Sequence, residues 1–431
     1  MDLGKRAAVA VPAIAAALLV WQLMIPPVVG LANNGDFGKV AGLFSLVPER
    51  AGDEFIYIVT QWRADTAAFW DSEFRTTEHL HGAITRLLGG DLRWQGVTHG
   101  AVMIAAIALL AASIGWRAVL AIPLLLDLAY SAYFNSMYMD AASMVWLALS
   151  LAAMIGGRWR IACAAAVLFF GAKSVHAIPG LLLIGAALAH KRWAIAAIEA
   201  GAMLWSVTRV SPEYGGQVMY NLIFTKVAVH ASDGDFRRIA MRLGVREDEL
   251  RLKGTTAFDP NAPAHSRPWI IEFAHRIPTS KMLDLYWHEP HLAWRFIASD
   301  LREEAHRIRP IHLSNYDRSS GRAPGEKAGG PLSWWSTCRS WLIRIAPWHL
   351  PVLYAGIGAW IVARRRWLTL PALLWAMALI EFGISTLADA CETSRHLLLF
   401  HWLTDALILW FAVTSFPGAN REMKTEAPIR G

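Results

Sequence analysis

The feature that most constrains this chain is a series of apolar runs of about 17–22 residues, each closed by a turn or a short basic loop. Runs of that length match the hydrocarbon thickness of a bilayer when they are helical. Lys5 and Arg6 precede the first run, and Arg117, Arg158, Arg160, His190-Lys191-Arg192 and Arg364-Arg365-Arg366 punctuate later ones. If basic loops stay on the cytoplasmic side, all of these fall on one face. The chain has 431 residues, of which 55% are hydrophobic and 17% charged, and its mean hydropathy is +0.34. A soluble chain would carry about 25% charged residues. The expected fold class is therefore an all-α polytopic membrane protein.

The expected spans lie near residues 7–31, 97–115, 118–135, 141–156, 161–177, a sixth returning to His190, 193–208, 347–363, 367–387 and 396–413. That makes about ten transmembrane helices with both termini cytoplasmic. The first run reads as a retained helix, because no small-residue cleavage site and soluble chain follow it. The expected organisation is a transmembrane core, 1–208, with a first outer loop at 32–96. An outer soluble insert at 209–345, C-terminal helices at 346–416 and a cytoplasmic tail at 417–431 complete it. The net charge of +7 is accounted for by the basic loops, so no nucleic acid is expected as a partner.

Polar motifs gather on the opposite face. Leu31-Ala-Asn-Asn-Gly-Asp-Phe-Gly-Lys-Val40 directly follows the first run. Gly35 and Gly38 allow a tight turn beside a ligand. Asp36 is an ionisable group held at the membrane surface, where it needs a task or a partner. The competing reading is a solvated turn with Asp36 capping the next helix. Residues 53–70 mix aromatics with charges, and Thr76-Thr77-Glu78 opens a helix that ends near Gly89-Gly90; either interfacial helices or an ordinary soluble cap fits. In the insert, Arg237–Leu250 reads as a charged helix, Gly254–Pro268 as a loop, Ser280–His288 and Pro290–Ile308 as helices, and Ser319–Pro331 as a linker.

Lys173 and His176 lie beside an apolar run at i, i+3 spacing, which would place them on one helix face suited to an anion. A lysine snorkelling to headgroups is the alternative. Asp140 sits behind Tyr133 and Tyr138, where it could orient a sugar hydroxyl or cap a helix. Asp389, Glu392, Arg395 and His396 crowd one short outer loop, as a second phosphate clamp or a local ion-pair network. Asp127, Glu199, Glu381 and Asp405 stand within apolar runs and read as paired core groups. Cys338 and Cys391 share the outer face, which allows either a disulfide or two thiols. No phosphate-binding glycine loop, zinc spacing or hydrolase motif is present.

Together the Asn34-Gly35-Asp36-Phe37-Gly38 motif, the Tyr133–Asp140 block, Ala172-Lys173 with His176-Ala177, Gly254-Thr255, His291 and Arg395-His396-Leu397 resemble GT-C type integral-membrane glycosyltransferases. More narrowly, they resemble the hexosyltransferase family of bacterial surface-layer glycan biosynthesis. The resemblance implies a GT-C-like bundle in the bacterial inner membrane with its active site extracytoplasmic. It also implies a polyprenyl-phosphate-linked hexose as donor, a cell-envelope glycan or glycolipid as acceptor, and membrane lipids as further partners. Asp36 would be the catalytic base. Lys173, His176, Arg395 and His396 would bind the donor phosphate, and Asn33, Asn34, Tyr138, Asp140, Asp389 and Glu392 the sugar or acceptor. Asp36 stands alone rather than in a paired acidic motif, so no divalent metal is indicated and no other cofactor is expected. The alternatives are a transporter or flippase of a lipid-linked glycan, for which neither internal repeats nor broken helices are evident, and a non-catalytic membrane scaffold.

Overall fold

The computed structural model describes residues 3–71, 74–309, 313–330, 332–388 and 390–415. Asp389 and the expected cytoplasmic tail lie outside the described residues. The regular structure is almost wholly helical. Its one sheet among the described residues is a two-stranded antiparallel pair, Leu46–Pro48 with Trp62–Ala64, in the first outer loop.

Four helical runs are long and apolar enough to cross a membrane: Arg6–Leu23, Arg93–Leu125, Leu370–Leu387 and Thr393–Ser415. Two further pairs qualify only if each bent pair counts as one span. Leu128–Asn135 meets Met139–Ile155 at 118°, and Trp334–Ile345 meets His349–Ala363 at 101°. Trp159–Phe170, Ser174–Ala189 and Trp193–Thr208 are shorter apolar helices. Against the ten or so expected, length and composition alone thus give four spans among the described residues, or six with the bent pairs, beside three shorter apolar helices, and broken helices are present where none was evident.

The third expected span, 118–135, shows the physical reason. The chain breaks at Asp127, which is fully buried. Asp127 accepts from the Ala129 amide at 2.9 Å, starting the short helix Leu128–Ser131, and from the Ser336 amide at 2.9 Å. A carboxylate that caps one short helix and ties down another is satisfied where a continuous helix would leave it bare.

The first span also ends early. Its helix stops at Leu23, and the chain returns through residues 24–32 under the side chain of Asn135. The Asn135 amide donates to the Leu23 and Val29 carbonyls at 2.8 and 2.7 Å. The insert closes the other side. The Gly30 and Ala32 amides donate to the Asn315 and Ser314 carbonyls, and Ile58 N–H to Tyr316. The stretch before Asp36 is therefore held from two directions.

Helix Glu78–Leu87 in the first outer loop is amphipathic in an inverted sense. It buries Glu78, His81 and Thr85 and exposes Leu80, Ile84 and Leu87. A polar inner face with an apolar outer face suits lipid rather than water on the outside. Inside, the Glu78 carboxylate accepts from the Ala142 amide at 3.2 Å and from His99 Nε2, which fixes the first turn of Met139–Ile155.

The insert has a core of its own, built from Tyr220, Phe224, Phe236, Ile239, Phe273, Leu285, Leu292 and Phe296. The expected charged helix is Asp233–Leu243 followed by a short turn, and the two later helices run Lys281–His288 and Pro290–Glu303. The segment read as a linker is tied down: Ala328 is buried and its carbonyl accepts from Arg309. No disulfide forms, since Cys338 and Cys391 are both thiols.

Candidate functional site

The Leu31–Val40 motif is folded by its own amides. Asn33 Oδ1 accepts from the Gly35 amide at 2.7 Å and the Phe37 amide at 3.1 Å, and Asn34 Oδ1 accepts from the Asp36 amide at 3.2 Å. Gly35 turns with φ +103°, a conformation that suits glycine and strains residues with a Cβ. Tyr138 completes the turn: its hydroxyl donates to the Ala32 carbonyl at 2.8 Å and accepts from the Asn34 amide at 3.1 Å. Phe37 packs edge-on against the Tyr138 ring. The asparagines and Tyr138, expected to touch substrate, build the turn that presents Asp36.

Asp36 enters an ion network centred on Arg395. The Arg395 guanidinium lies 3.0 Å from Asp36, 3.4 Å from Asp140 and 2.9 Å from Glu392, and rests over the Tyr138 ring with its carbon 5.0 Å from the centroid. Asn34 Nδ2 donates to the same Glu392 oxygen at 2.7 Å. Lys39 pairs with Asp36 from the other side. Beneath, Lys173 Nζ lies 2.9 Å from Asp140, and His176 stands between Asp140 at 3.3 Å and Glu381 at 3.0 Å. His396 Nε2 lies 3.2 Å from Arg395. Apart from Asp389, the expected site residues converge here from four chain segments, and Glu381 joins them from a fifth.

The network is graded in exposure. The side chains of Asp140, His176 and Glu381 are 3%, 3% and 1% exposed, whereas Asp36 is 20% and Glu392 27% exposed. The buried charges neutralise one another, and the carboxylate of Asp36 is left reachable. Burial opposes its ionisation, but Lys39 and Arg395 outweigh burial and hold its carboxyl at about 2. It is therefore an acceptor-only group at any physiological pH.

One geometric expectation is corrected. Lys173 and His176 do not share a helix face. The helix Trp159–Phe170 ends before them, Lys173 is extended, and His176 follows in a tight turn. They meet because both reach Asp140. Glu381 and Lys39 carried no expected role. Glu381 sits alone in an apolar run, the one sign that it needed a partner. Lys39 lies inside the motif but reads as a surface lysine. Of the other buried acids, Asp405 pairs with Arg339 at 2.7 Å, whereas one carboxylate oxygen of Glu199 has no hydrogen-bond partner among the described residues. Thr255 and His291 make their contacts within the insert, with Tyr220 and Glu289. Among the described residues, no three His, Cys, Asp or Glu side chains gather as a metal would require.

A cleft opens beside the network, lined in part by Phe74, Met139, Lys173, Trp205, Arg209 and Tyr214. Two contacts join it to Asp36. Lys39 Nζ, paired with Asp36, lies over the rings of Phe74 at 4.7 Å and Tyr214 at 6.0 Å. On the other side Lys173, in the cleft wall, leads through Asp140 and Arg395 to Asp36.

No curated protein and no solved structure matches the chain. A family model does, over residues 3–427, and it is not that of the surface-layer hexosyltransferases the motifs resemble. That match takes in the Asp36 turn, the Lys173 turn and the Arg395 loop alike, and by it the chain belongs to the YfdI N-terminal transmembrane domain family.

Proposed function

We propose that this protein is an integral-membrane glycosyltransferase, and that Asp36 is its general base. The observation that carries the reading is a reachable, ionised aspartate, backed by buried cations and standing at the edge of a cleft with cationic and aromatic walls. Membership in a YfdI-type membrane family, GT-C-like in character, supports the same class. The donor in this reading is a hexose on a polyprenyl phosphate, and the acceptor is a cell-envelope glycan or glycolipid on the extracytoplasmic side.

The acceptor oxygen attacks the anomeric carbon while its proton passes to the Asp36 carboxylate. The bond from that carbon to the phosphate oxygen breaks, and its electron pair leaves with the phosphate. Negative charge grows there, and cations already in place lower the barrier without reorganising. A single displacement inverts the anomeric centre. Lys39 and Arg395 depress the basicity of Asp36 in the resting state, so the carboxylate takes the proton only as the new bond to the anomeric carbon forms and makes the acceptor oxygen acidic.

The test is a transfer assay in nanodiscs with radiolabelled polyprenyl-phosphate hexoses and a pool of envelope glycolipids. Asp36→Asn should cut transfer by about 10²–10⁴-fold with its melting temperature nearly unchanged. Full activity in that variant would sink the assignment. The bend beside Asp140 favours a second reading, passage of a lipid-linked glycan. Label crossing vesicles without a new glycosidic bond would replace the first reading with that one.

A further inference from the structure

We propose that the cleft beside Asp36 holds the phosphate of a polyprenyl phosphate, and that Arg209 and Arg75 are the residues that grip it; this rests on the transferase reading. The cations inside the ion network are poor candidates for a first contact. Arg395 is divided among three carboxylates and is 5% exposed, and His176 lies between two. Incoming phosphate would have to displace those carboxylates from a buried position.

The cleft wall differs. Arg209 lies at its mouth, exposed, with its guanidinium carbon 5.7 Å from the Trp205 ring and no ion pair among the described residues. Arg75 lines the same cleft and pairs with Asp71 at 3.0 Å, and both partners are about half exposed. Lys173 is the most buried of the three and is bound to the buried carboxylate of Asp140. Three cations thus line one opening, the innermost coupled to the network that holds Asp36. Arginine suits this position because its planar fork grips phosphate oxygens in pairs.

The tail has a place as well. Arg209 ends the helix Trp193–Thr208, and Trp205 and Ile198 lie on the same stripe of that helix at spacings of four and seven residues. Trp205 is 45% exposed and Ile198 55%. An isoprenoid chain lying along this stripe would lead its phosphate directly to Arg209. The headgroup would then sit between a lipid-facing helix and the reactive carboxylate, as a membrane-borne substrate requires.

Binding is measured without turnover, on the full-length protein in zwitterionic nanodiscs. The probes are a polyprenyl monophosphate, the matching polyprenol and inorganic phosphate, read by tryptophan fluorescence and by native mass spectrometry. Arg209→Ala and the double variant Arg75→Ala with Arg209→Ala should weaken polyprenyl phosphate binding by about tenfold or more. Both should leave polyprenol binding unchanged, and Arg209→Lys should recover part of the loss. Unchanged affinity in the double variant overturns the site. Inorganic phosphate binding as tightly as the lipid phosphate overturns its lipid character. If the site fails in this way while Asp36→Asn still abolishes transfer, the transferase reading survives it.

Discussion

Lys39 and Asp36 are three residues apart, and their pairing sets how the proposed base behaves with pH. Burial alone would raise the Asp36 carboxyl, but Lys39 and Arg395 lower it from 3.8 to about 2. A carboxyl lowered on folding contributes stability above its unfolded value and loses it as pH falls through the folded one. This contribution is therefore complete above about pH 4 and disappears between there and about pH 2. Lys39→Met keeps the side-chain stem over Phe74 and removes the charge. The Asp36 carboxyl should then rise, and the acid limb of kcat/KM should move to higher pH. A pH–rate profile of both proteins checks this, and a limb that stays in place would separate Lys39 from the base. The Leu31–Val40 motif was legible in the sequence because amides, glycines and an acid rarely crowd six residues at a membrane edge. Its salt bridge was not, because Lys39 looks like any surface lysine until the chain turns at Gly35.

At the scale of elements, the site depends on helices that stop where hydropathy would carry them on. Met139–Ile155 begins at Tyr138–Asp140 because the chain before it is bent and pinned. Asn135 supplies the pin, donating to the Leu23 carbonyl, where the first helix ends, and to the Val29 carbonyl in the chain that follows. Asn135→Ala should therefore cost about 2–4 kcal/mol, one to two unsatisfied buried groups. It should also lower transfer more than the stability loss explains, since Tyr138 then no longer braces the Asp36 turn. Thermal unfolding in detergent and steady-state kinetics on the same samples check both parts. Wild-type melting behaviour would show that the bend needs no pin. This also explains what hydropathy could and could not reveal. It located nearly every apolar segment, because burial in lipid needs only composition. It missed the breaks at Asp127 and Asn135, because those are set by single polar side chains meeting backbone groups more than a hundred residues away, and the tight turn that carries Lys173, where the Ala172 carbonyl accepts from Thr76, 96 residues away.

In the whole molecule, the insert is clamped to the helix that carries Glu381. Lys226, buried on the insert's single turn of π-helix, lies 2.9 Å from Asp300 and donates to the Thr386 carbonyl at 2.5 Å. Tyr286 donates to the next carbonyl, Leu387. Both carbonyls stand at the end of Leu370–Leu387, just before the loop that holds Glu392 and Arg395. The insert therefore fixes the position from which that loop starts, although its own core is separate. Nothing in the sequence announced the link, because Lys226 and Asp300 belong to two ordinary amphipathic segments. Removing one partner of a buried pair leaves the other charge uncompensated and costs about 3–5 kcal/mol, whereas replacing both by apolar groups is often close to neutral. Lys226→Met should thus destabilise strongly, and adding Asp300→Leu should recover most of the melting temperature. It should not recover activity in full, because the Thr386 carbonyl still lacks its donor and the loop bearing Arg395 starts from a looser end. If the double variant is both as stable and as active as the wild type, the clamp is only a packing contact. Restored stability with reduced kcat and an unchanged KM would instead mark the insert as the part that holds the Arg395 loop over Asp36.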